Sequence, residues 1–411
     1  MIFPSFATFS SIVVCDSYRS PMALGSEGGD KQNNTIYSQI FAKRRQLTGT
    51  LTSPSLHGLP LPTLPFELIE EILARLPVKL LLQLRCACKS WNSLISNTKF
   101  HKKHLSLSTT HTLHCVSYSY KYVLKSYPLD SLFTNVTTAD IGQLKHSLCY
   151  FVSFVGSCNG ILCLAVYYVG SALLQFRLWN PSIRKFKELP PDENSRERLP
   201  LREILMYGFG YDLVNDNYKV VSVLRVFECI SGNYAKEDEV KVHTLGANSW
   251  KRIPMIPFVV VPIQKSGQCV SGTINWLVSK DTRKSQCFIL SLDMSNYSYQ
   301  KVSFPTDCKV DGCSLHLSVL RDCLTMFCGD GVWVMKEYGN NESWTKLFTI
   351  SYRPTFRKAV YIFKDEQVLL KPTEDWIDDY IFYNCRDGTS KNIDFENTPE
   401  VCVESLISPC S

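Results

Sequence analysis

The 411-residue chain lacks any apolar run approaching the ~20 residues that a membrane helix needs. No membrane span is expected. No Lys or Arg precedes Arg19, so the mildly apolar start "MIFPSFATFSSIVVC" lacks the charged head of a signal peptide. A strong charge of one sign is also missing. The 44 basic and 38 acidic residues leave a scattered +6, too little to argue for nucleic acid. The densest basic patches, Lys43-Arg44-Arg45 and the stretch Lys99 to Lys103, read as solvated faces. Cysteine is plentiful at 17, but no fixed spacing suggests a disulfide framework. The cysteines read as buried small hydrophobes in a reducing compartment, which suits cytoplasm or nucleus. Residues 1 to about 58 carry no sustained hydrophobic period and are expected to be disordered.

What is there begins at "LPTLPFELIEEILARLP". Leu68, Ile69, Ile72, Leu73 and Leu76 recur with a helical period and make one wide apolar stripe. Pro65 suits a first turn, Glu67 suits the positive end of the helix dipole, and Pro77 stops the helix. A second helix is expected from Val78 to about Lys89, crowded by Leu80, Leu81, Leu82 and Leu84. A third surrounds Trp91, Leu94 and Ile95. Three short helices in ~45 residues make a marginal core. They carry more large apolar side chains than they can bury among themselves, and such a surplus marks a partner surface.

Cys86 and Cys88 raise the question of a metal. They stand one residue apart, whereas structural zinc sites pair cysteines at C-x₂₋₄-C. On a helix they would point about 200° apart. "HKKHLSLSTTHTLHC" supplies His101, His104, His111, His114 and Cys115, yet its second half reads as the start of a strand. No metal is expected, and the two cysteines read as helix-packing residues.

"LPFELIEEILARLPVKLLLQLRCACKSWNSLISNTKFHKKHL" resembles an F-box of the form common in large plant families. The matching elements are Leu64-Pro65, Ile72-Leu73, Arg75 to Lys79, Arg85-Cys86, Cys88 to Trp91, Leu94-Ile95, Phe100 and His104-Leu105. Leu80 and Leu82-Gln83 depart from the usual Ser and Leu-Arg. The resemblance implies docking on a Skp-type adaptor and, through it, a cullin–RING ubiquitin ligase. It implies adaptor contact at, or direct support from, Leu64, Pro65, Ile69, Ile72, Leu73, Leu76, Pro77, Leu81, Leu84, Cys88, Lys89, Trp91 and Leu94.

From about residue 113 the chain reads as short aromatic and β-branched strands with turn residues every 8–12 positions. One hairpin recurs as "RLWNPSIRKFKELP", "KVHTLGANSWKRIP", "LSLDMSNYSYQKVSF" and "VWVMKEYGNNESWTKLF", with a weaker "IFYNCRDGTSKNIDF". Aromatic–aliphatic pairs mark the copies: Phe186/Leu189, Trp250/Ile253, Tyr299/Val302 and Trp344/Leu347, with Ser390/Ile393 in the weak one. The aliphatic positions are 64, 49, 45 and 46 residues apart, the first interval being lengthened by the polar loop "PPDENSRERLPLRE". A second hairpin precedes each copy: "GSCNGILCL", "DLVNDNYKVVSV", "QCVSGTINWLV", "SVLRDCLTMFC" and "YIFKDEQVLL". Two hairpins per repeat make a four-stranded unit of propeller-blade size, and residues 113 to 407 hold about six. The unmatched ends, "LHCVSYSYKYVLKSYPLD" and "EVCVESLIS", are expected to combine into one blade and close the ring.

No Gly-Gly or Trp-Asp pair marks the repeats, so standard kelch and WD40 signatures are missing. "GSCNGILCL", "WNPSIRKFKELP", "YGFGYD", "YKVV", "SWKRI", "GTINWL" and "ILSLDM" resemble the plant F-box-associated domain. The expected fold is therefore α plus all-β: disordered 1–58, a three-helix F-box over 59–105, and a β-propeller-like domain of about six four-stranded units over 106–411.

Catalytic constellations are missing too. Trp179, Trp250, Trp276, Trp333, Trp344 and Trp376 read as blade packing. Asp212, Asp216 and Asp293 read as turn residues. "YGFGYD" has no following helix to make a phosphate loop, and "GSCNG" lacks the strand–turn–helix context of a nucleophile elbow. His243 and His316 stand in strands with no paired Cys or acid at useful spacing. The loop from Pro191 to Glu203 and "TEDWIDDY", residues 373 to 380, are the most distinctive surface insertions. The expected function is a non-catalytic substrate receptor of a Skp–cullin–F-box ligase. It needs no cofactor and binds a protein target, with no nucleic acid or membrane partner. The alternatives are a propeller binding protein whose F-box recruits no ligase, and a propeller enzyme acting on glycans.

Overall fold

The computed structural model describes residues 64–118, 122–129, 137–140, 150–168, 173–191, 201–230, 233–306, 308, 315–329, 331–350, 356–363, 367–372, 379–394 and 399–410. The expectation of disorder over 1–58, Trp376 and most of the two surface insertions lie outside them.

Four helices open the described chain rather than three: α1 (Phe66–Leu73), α2 (Val78–Leu84), α3 (Lys89–Ile95) and α4 (Thr98–Leu107). Pro65 and Pro77 stand at the N-caps of α1 and α2, where a missing N–H costs nothing. The second helix stops at Leu84, short of the expected Lys89. Three-residue bonds, Cys86 N–H to Gln83 O and Ala87 N–H to Leu84 O, tighten its last turn, and Cys88 is extended. Cys86 and Cys88 thus lie outside any helix and are exposed, which overturns the packing reading. The fourth helix is started by Asn97, whose side chain accepts the Lys99 N–H at 2.8 Å. It carries the basic stretch expected to be a bare solvated face. In fact Lys102 pairs with Asp216 at 2.5 Å, and Lys103 with Glu70 and Glu71 at 3.0 and 2.5 Å.

Six antiparallel sheets follow. Blade I combines β1 (His111–Tyr118), β2 (Tyr122–Pro128) and β3 (Thr137–Asp140) with the last strand, β25 (Glu400–Val403). Blade II is β4 (Tyr150–Cys158), β5 (Ile161–Tyr168), β6 (Leu173–Asn180) and β7 (Lys185–Glu188). Blade III is β8 (Leu201–Asp212), β9 (Asn217–Ile230), β10 (Asn233–Thr244) and β11 (Lys251–Arg252). Blade IV has its inner edge in two pieces, β12 (Val261–Pro262) and β13 (Gln268–Val270), both paired to β14 (Thr273–Ser279), then β15 (Cys287–Asp293) and β16 (Tyr299–Val302). Blade V is β17 (Leu315–Leu320), β18 (Cys323–Cys328), β19 (Gly331–Met335) and β20 (Trp344–Thr349). Blade VI is β21 (Phe356–Ile362), β22 (Gln367–Pro372), β23 (Asp379–Asn384) and β24 (Ser390–Asp394). Every hairpin read from the repeats is present.

The inner strands β25, β4, β8, β13, β17 and β21 neighbour one another around the ring. Closure is the one expected: β25 pairs antiparallel with β1, His111 opposite Val403, so the first and last strands of the β region share one blade. Glycine sets the spacing at one seam. A side chain at Gly208 or Gly267 would collide with Ile274, and one at Gly210 with Cys269. The "YGFGYD" glycines therefore let β8 approach the next blade. Trp276, fully buried, donates its indole N–H to Tyr207 O at 2.9 Å across that seam. Trp179 and Trp344 are also buried, as blade packing requires.

Two local features depart from the repeat and cysteine patterns. Leu347, the aliphatic member of its repeat's pair, is exposed, whereas Leu189, Ile253 and Val302 are buried. A bulge between Val332 and Trp333 pairs them with Phe348 and Lys346, so Leu347 is the skipped residue. Cys308 and Cys328 form a disulfide, with Cα atoms 5.7 Å apart. They are 20 residues apart in sequence, and only the fold brings the connection before β17 against the end of β18. Cys115, Cys163 and Cys402 are buried, as read.

A candidate docking surface on the helical module

The apolar stripe of α1 spans about 140° from Leu73 through Ile69 and Ile72 to Leu68, at 100° per residue. Only one edge of it enters the module's core. Leu73 is 2% exposed and packs with Ala74, Val78, Leu81, Ile95 and Phe100. Leu68 and Ile72, one turn apart on the other edge, stay 50% and 51% exposed. Leu64, just ahead of the Pro65 N-cap, is exposed as well, and so is Phe66 in the first turn.

The module's other side belongs to the propeller. Leu406, from the segment after β25, is buried within the helical core, and Ile183, from the β6–β7 turn, packs against it. The Glu404 N–H donates to Thr110 O at 2.9 Å, and the Ser108 hydroxyl to Glu404 O at 3.1 Å. The Val78 N–H at the start of α2 hydrogen-bonds Glu404, whose carboxyl is pushed up by burial against that bond. Asn180 of β6 holds the same segment through Ser405 O at 2.9 Å and Ile407 O at 2.8 Å. With this side occupied, the Leu64–Leu68–Ile72 ridge is the apolar surface left over.

Ion pairs fix the ridge's own helix. Arg75 and Lys103 both reach Glu71, at 2.7 and 2.5 Å, tying α1 to α4. Hydrogen bonds from Lys103 and then Arg75 hold the Glu71 carboxyl below its usual range. The same contact raises the Lys103 ammonium.

The residues expected to serve the adaptor divide into three sets. Leu64, Pro65, Ile72, Pro77, Cys88 and Lys89 are exposed. Ile69, Leu76, Leu84, Trp91 and Leu94 are half-buried against the core and bridge it to the surface. Leu73 and Leu81 are inside, so they support the surface and touch nothing outside it. Phe66, Leu68 and Leu80 are exposed apolar residues outside that set. The helical period already contained Leu68, but a period alone does not tell the covered edge of a wide stripe from the free one. The Cys88 thiol lies 3.1 Å from the Ser90 hydroxyl, which holds it below its usual range. Among the described residues, no three His, Cys, Asp or Glu side chains are placed to hold a metal ion.

Residues 61–103 match the F-box domain, and residues 94–409 match the F-box associated beta propeller domain. An F-box/kelch-repeat protein of Arabidopsis thaliana is 33% identical over 367 residues, covering 84% of this chain and 96% of its own. A second F-box protein of the same plant is 29% identical, covering 70% of this chain and 73% of its own. The Arabidopsis F-box protein CPR1 is 27% identical, covering 73% and 76%. Among solved structures, a chain of a nidogen/laminin complex aligns at 8% identity and a TM-score of 0.39, covering 72% of this chain and 100% of its own. With an F-box in front of a closed six-bladed ring, and with both segments matched, the chain belongs to the plant F-box proteins that carry an F-box-associated β-propeller.

Proposed function

We propose that the chain is the substrate-recognition subunit of a Skp–cullin–F-box ubiquitin ligase. Its α1 ridge docks on a Skp-type adaptor, and its propeller holds a target protein. The chain performs no bond chemistry. It works by proximity: holding the target beside the ubiquitin-carrying enzyme turns a bimolecular encounter into a nearly intramolecular one. The observation that carries the reading is the exposed Leu64–Leu68–Ile72 ridge on a module whose opposite side is already bound to the propeller. Burying one Leu or Ile there is worth ~1.5–3 kcal/mol. Association itself costs on the order of 4–15 kcal/mol, so several must act together.

Ile72→Asp tests this directly. Its side chain is exposed, so the fold should tolerate the charge, while a docked adaptor would strand it in an apolar contact. The expected result is loss of Skp-type adaptor in a pull-down with thermal unfolding unchanged. Leu73→Asp is the wrong variant for this purpose, because a charge at that buried position unfolds the module. Full adaptor binding by the Ile72→Asp protein would take the contact away from this ridge, and failure of the parent protein to bind adaptor would leave a propeller binding protein without a ligase.

A further inference from the structure

Neighbouring strands of each blade run in opposite directions, so the turns after the first and third strands share one face of the ring. The helical module sits there: Ile183 lies in the β6–β7 turn, and Asp216, in the β8–β9 turn, pairs with Lys102. The β14–β15 turn and the connection from β11 to β12 must then emerge on the opposite face. Together they make a composite surface of exposed apolar and basic groups.

The β11–β12 connection is firmly held. Ile253 and Val260 are buried at its ends, and Ile256 and Phe258 pack against the same core between blades III and IV. The Tyr299 hydroxyl donates to Pro254 O at 2.8 Å. Phe258 meets Phe288 edge-on at 5.6 Å, and the Lys301 ammonium lies 4.3 Å from the Phe258 ring centroid. From this fixed base Met255 and Val259 project with 54% and 75% of their surface exposed. The pairing of Val261 with Ser279, continued two residues, sets Val259 beside the β14–β15 turn.

That turn presents Lys280, Arg283 and Lys284, all exposed and, among the described residues, in no ion pair. Its one acid, Asp281, is engaged within the turn. It accepts from the Ser285 N–H at 2.9 Å, from the Ser285 hydroxyl, and from the Ser279 hydroxyl at 3.3 Å. Glu239, on the third strand of blade III, is buried and matched by Lys241 and Arg252. The surface therefore couples exposed aliphatic groups to unmatched positive charge.

We propose that this face docks a protein segment in which acidic residues alternate with apolar ones. The proposal deepens the receptor reading and rests on it for the segment's role as part of the target. Charge complementarity selects the acidic residues, and Met255 and Val259 select the apolar ones. The rigid base removes much of the ordering cost that a mobile loop would bring to binding. A nucleic acid strand fits less well, because it needs open aromatic faces for stacking. Phe258 and Phe288 are half-buried, and Lys301 sits over both rings.

The test uses the full-length protein and a phage library of short random peptides. Selected peptides should be rich in Asp or Glu interleaved with Leu, Ile, Val or Phe, and their binding should weaken as salt rises. Val259→Asp and the double variant Arg283→Glu/Lys284→Glu should each lower affinity by about tenfold or more, with thermal unfolding unchanged. The proposal is overturned by peptides without the acidic–apolar bias, by variants that bind them as the parent does, or by an empty selection. It is also overturned if a single-stranded oligonucleotide binds in place of peptides and the same variants lose it. Adaptor pull-down, run in parallel, keeps the two readings apart. These variants lie on the far face and should retain adaptor. Loss of adaptor binding by the parent protein would remove the ligase reading and leave the peptide result to decide the surface.

Discussion

Asp212 and Lys219 show how one residue pair can belong to the whole ring. Asp212 accepts from the Val214 and Asn215 N–H groups at 3.0 and 3.1 Å, the turn role expected of it. Its other oxygen takes the Lys219 ammonium at 2.7 Å, and both side chains are buried. The same ammonium donates to Met294 O at 2.6 Å and lies 4.7 Å from the Tyr297 ring centroid, both in the next blade. Burial pushes the Asp212 carboxyl up, but hydrogen bonds from Lys219 and Asn215 outweigh it and hold it at about 2. An ordinary Asp titrates near 3.8, so the unfolded chain takes up this proton first. The pair's stabilisation is complete above about pH 4 and is lost as pH falls towards about 2. Asp212→Asn leaves Lys219 buried without its counter-charge and should cost about 3–5 kcal/mol at neutral pH. It should also flatten the dependence of stability on pH below 4. Urea unfolding at several pH values measures both effects, and an unchanged acid limb would show that the pair is not the source.

At the scale of elements, the turns decide how tightly neighbouring parts approach. Asn159 and Gly160 connect β4 to β5 with both φ angles positive, 51° and 83°, as a two-residue hairpin of the primed type requires. The turn also lies directly under the C-terminal segment. A Cβ on Gly160 would fall on the Ser405 Cβ and come within 3.0 Å of Val403 O. Gly246 has a similar φ of 93°, yet an added Cβ there meets nothing within 4 Å. Gly246→Ala should therefore cost only backbone strain, about 1–3 kcal/mol. Gly160→Ala should cost that plus a similar overpacking penalty, about 1–3 kcal/mol more. Equal midpoint shifts for the two variants in denaturant would show that the C-terminal segment yields freely. Leu347 teaches the converse lesson: one bulge moves an aliphatic repeat position out to solvent without disturbing the four-stranded plan.

At the scale of the molecule, two functions meet in the last residues. β25 closes the ring, while Glu404 to Leu406 carry the closure into the helical module. Separate truncations should separate these roles. Ending the chain at Val403 removes Leu406 from the helical core but keeps β25. Limited proteolysis should then cut within residues 64–107 while the propeller's thermal unfolding stays close to that of the intact protein. Ending it at Asn397 removes β25, opens the ring at blade I and leaves β1 as a bare inner edge, and the whole β region should unfold at lower temperature. A common response to both cuts would contradict this division. The propeller is expected to fold without the helices, whereas the helices draw part of their core from the propeller.

The sequence by itself determined the two segments, the helical stripe, the turn positions and the repeat of four strands. Each is a local property: periodicity, turn chemistry and spacing act within a few residues. Ring closure was also legible, because an unmatched half-blade at each end leaves few other ways to satisfy the strand edges. Only the tertiary structure decided which edge of the α1 stripe is covered, because Leu406 and Ile183 arrive from far along the chain. It likewise decided that Lys102 and Lys103 are paired, that Cys308 meets Cys328, and that Leu347 is skipped. The far-face surface was invisible for the same reason. Val259 and Lys280 gain meaning only when a strand pairing sets two separate connections side by side, and no local period records that.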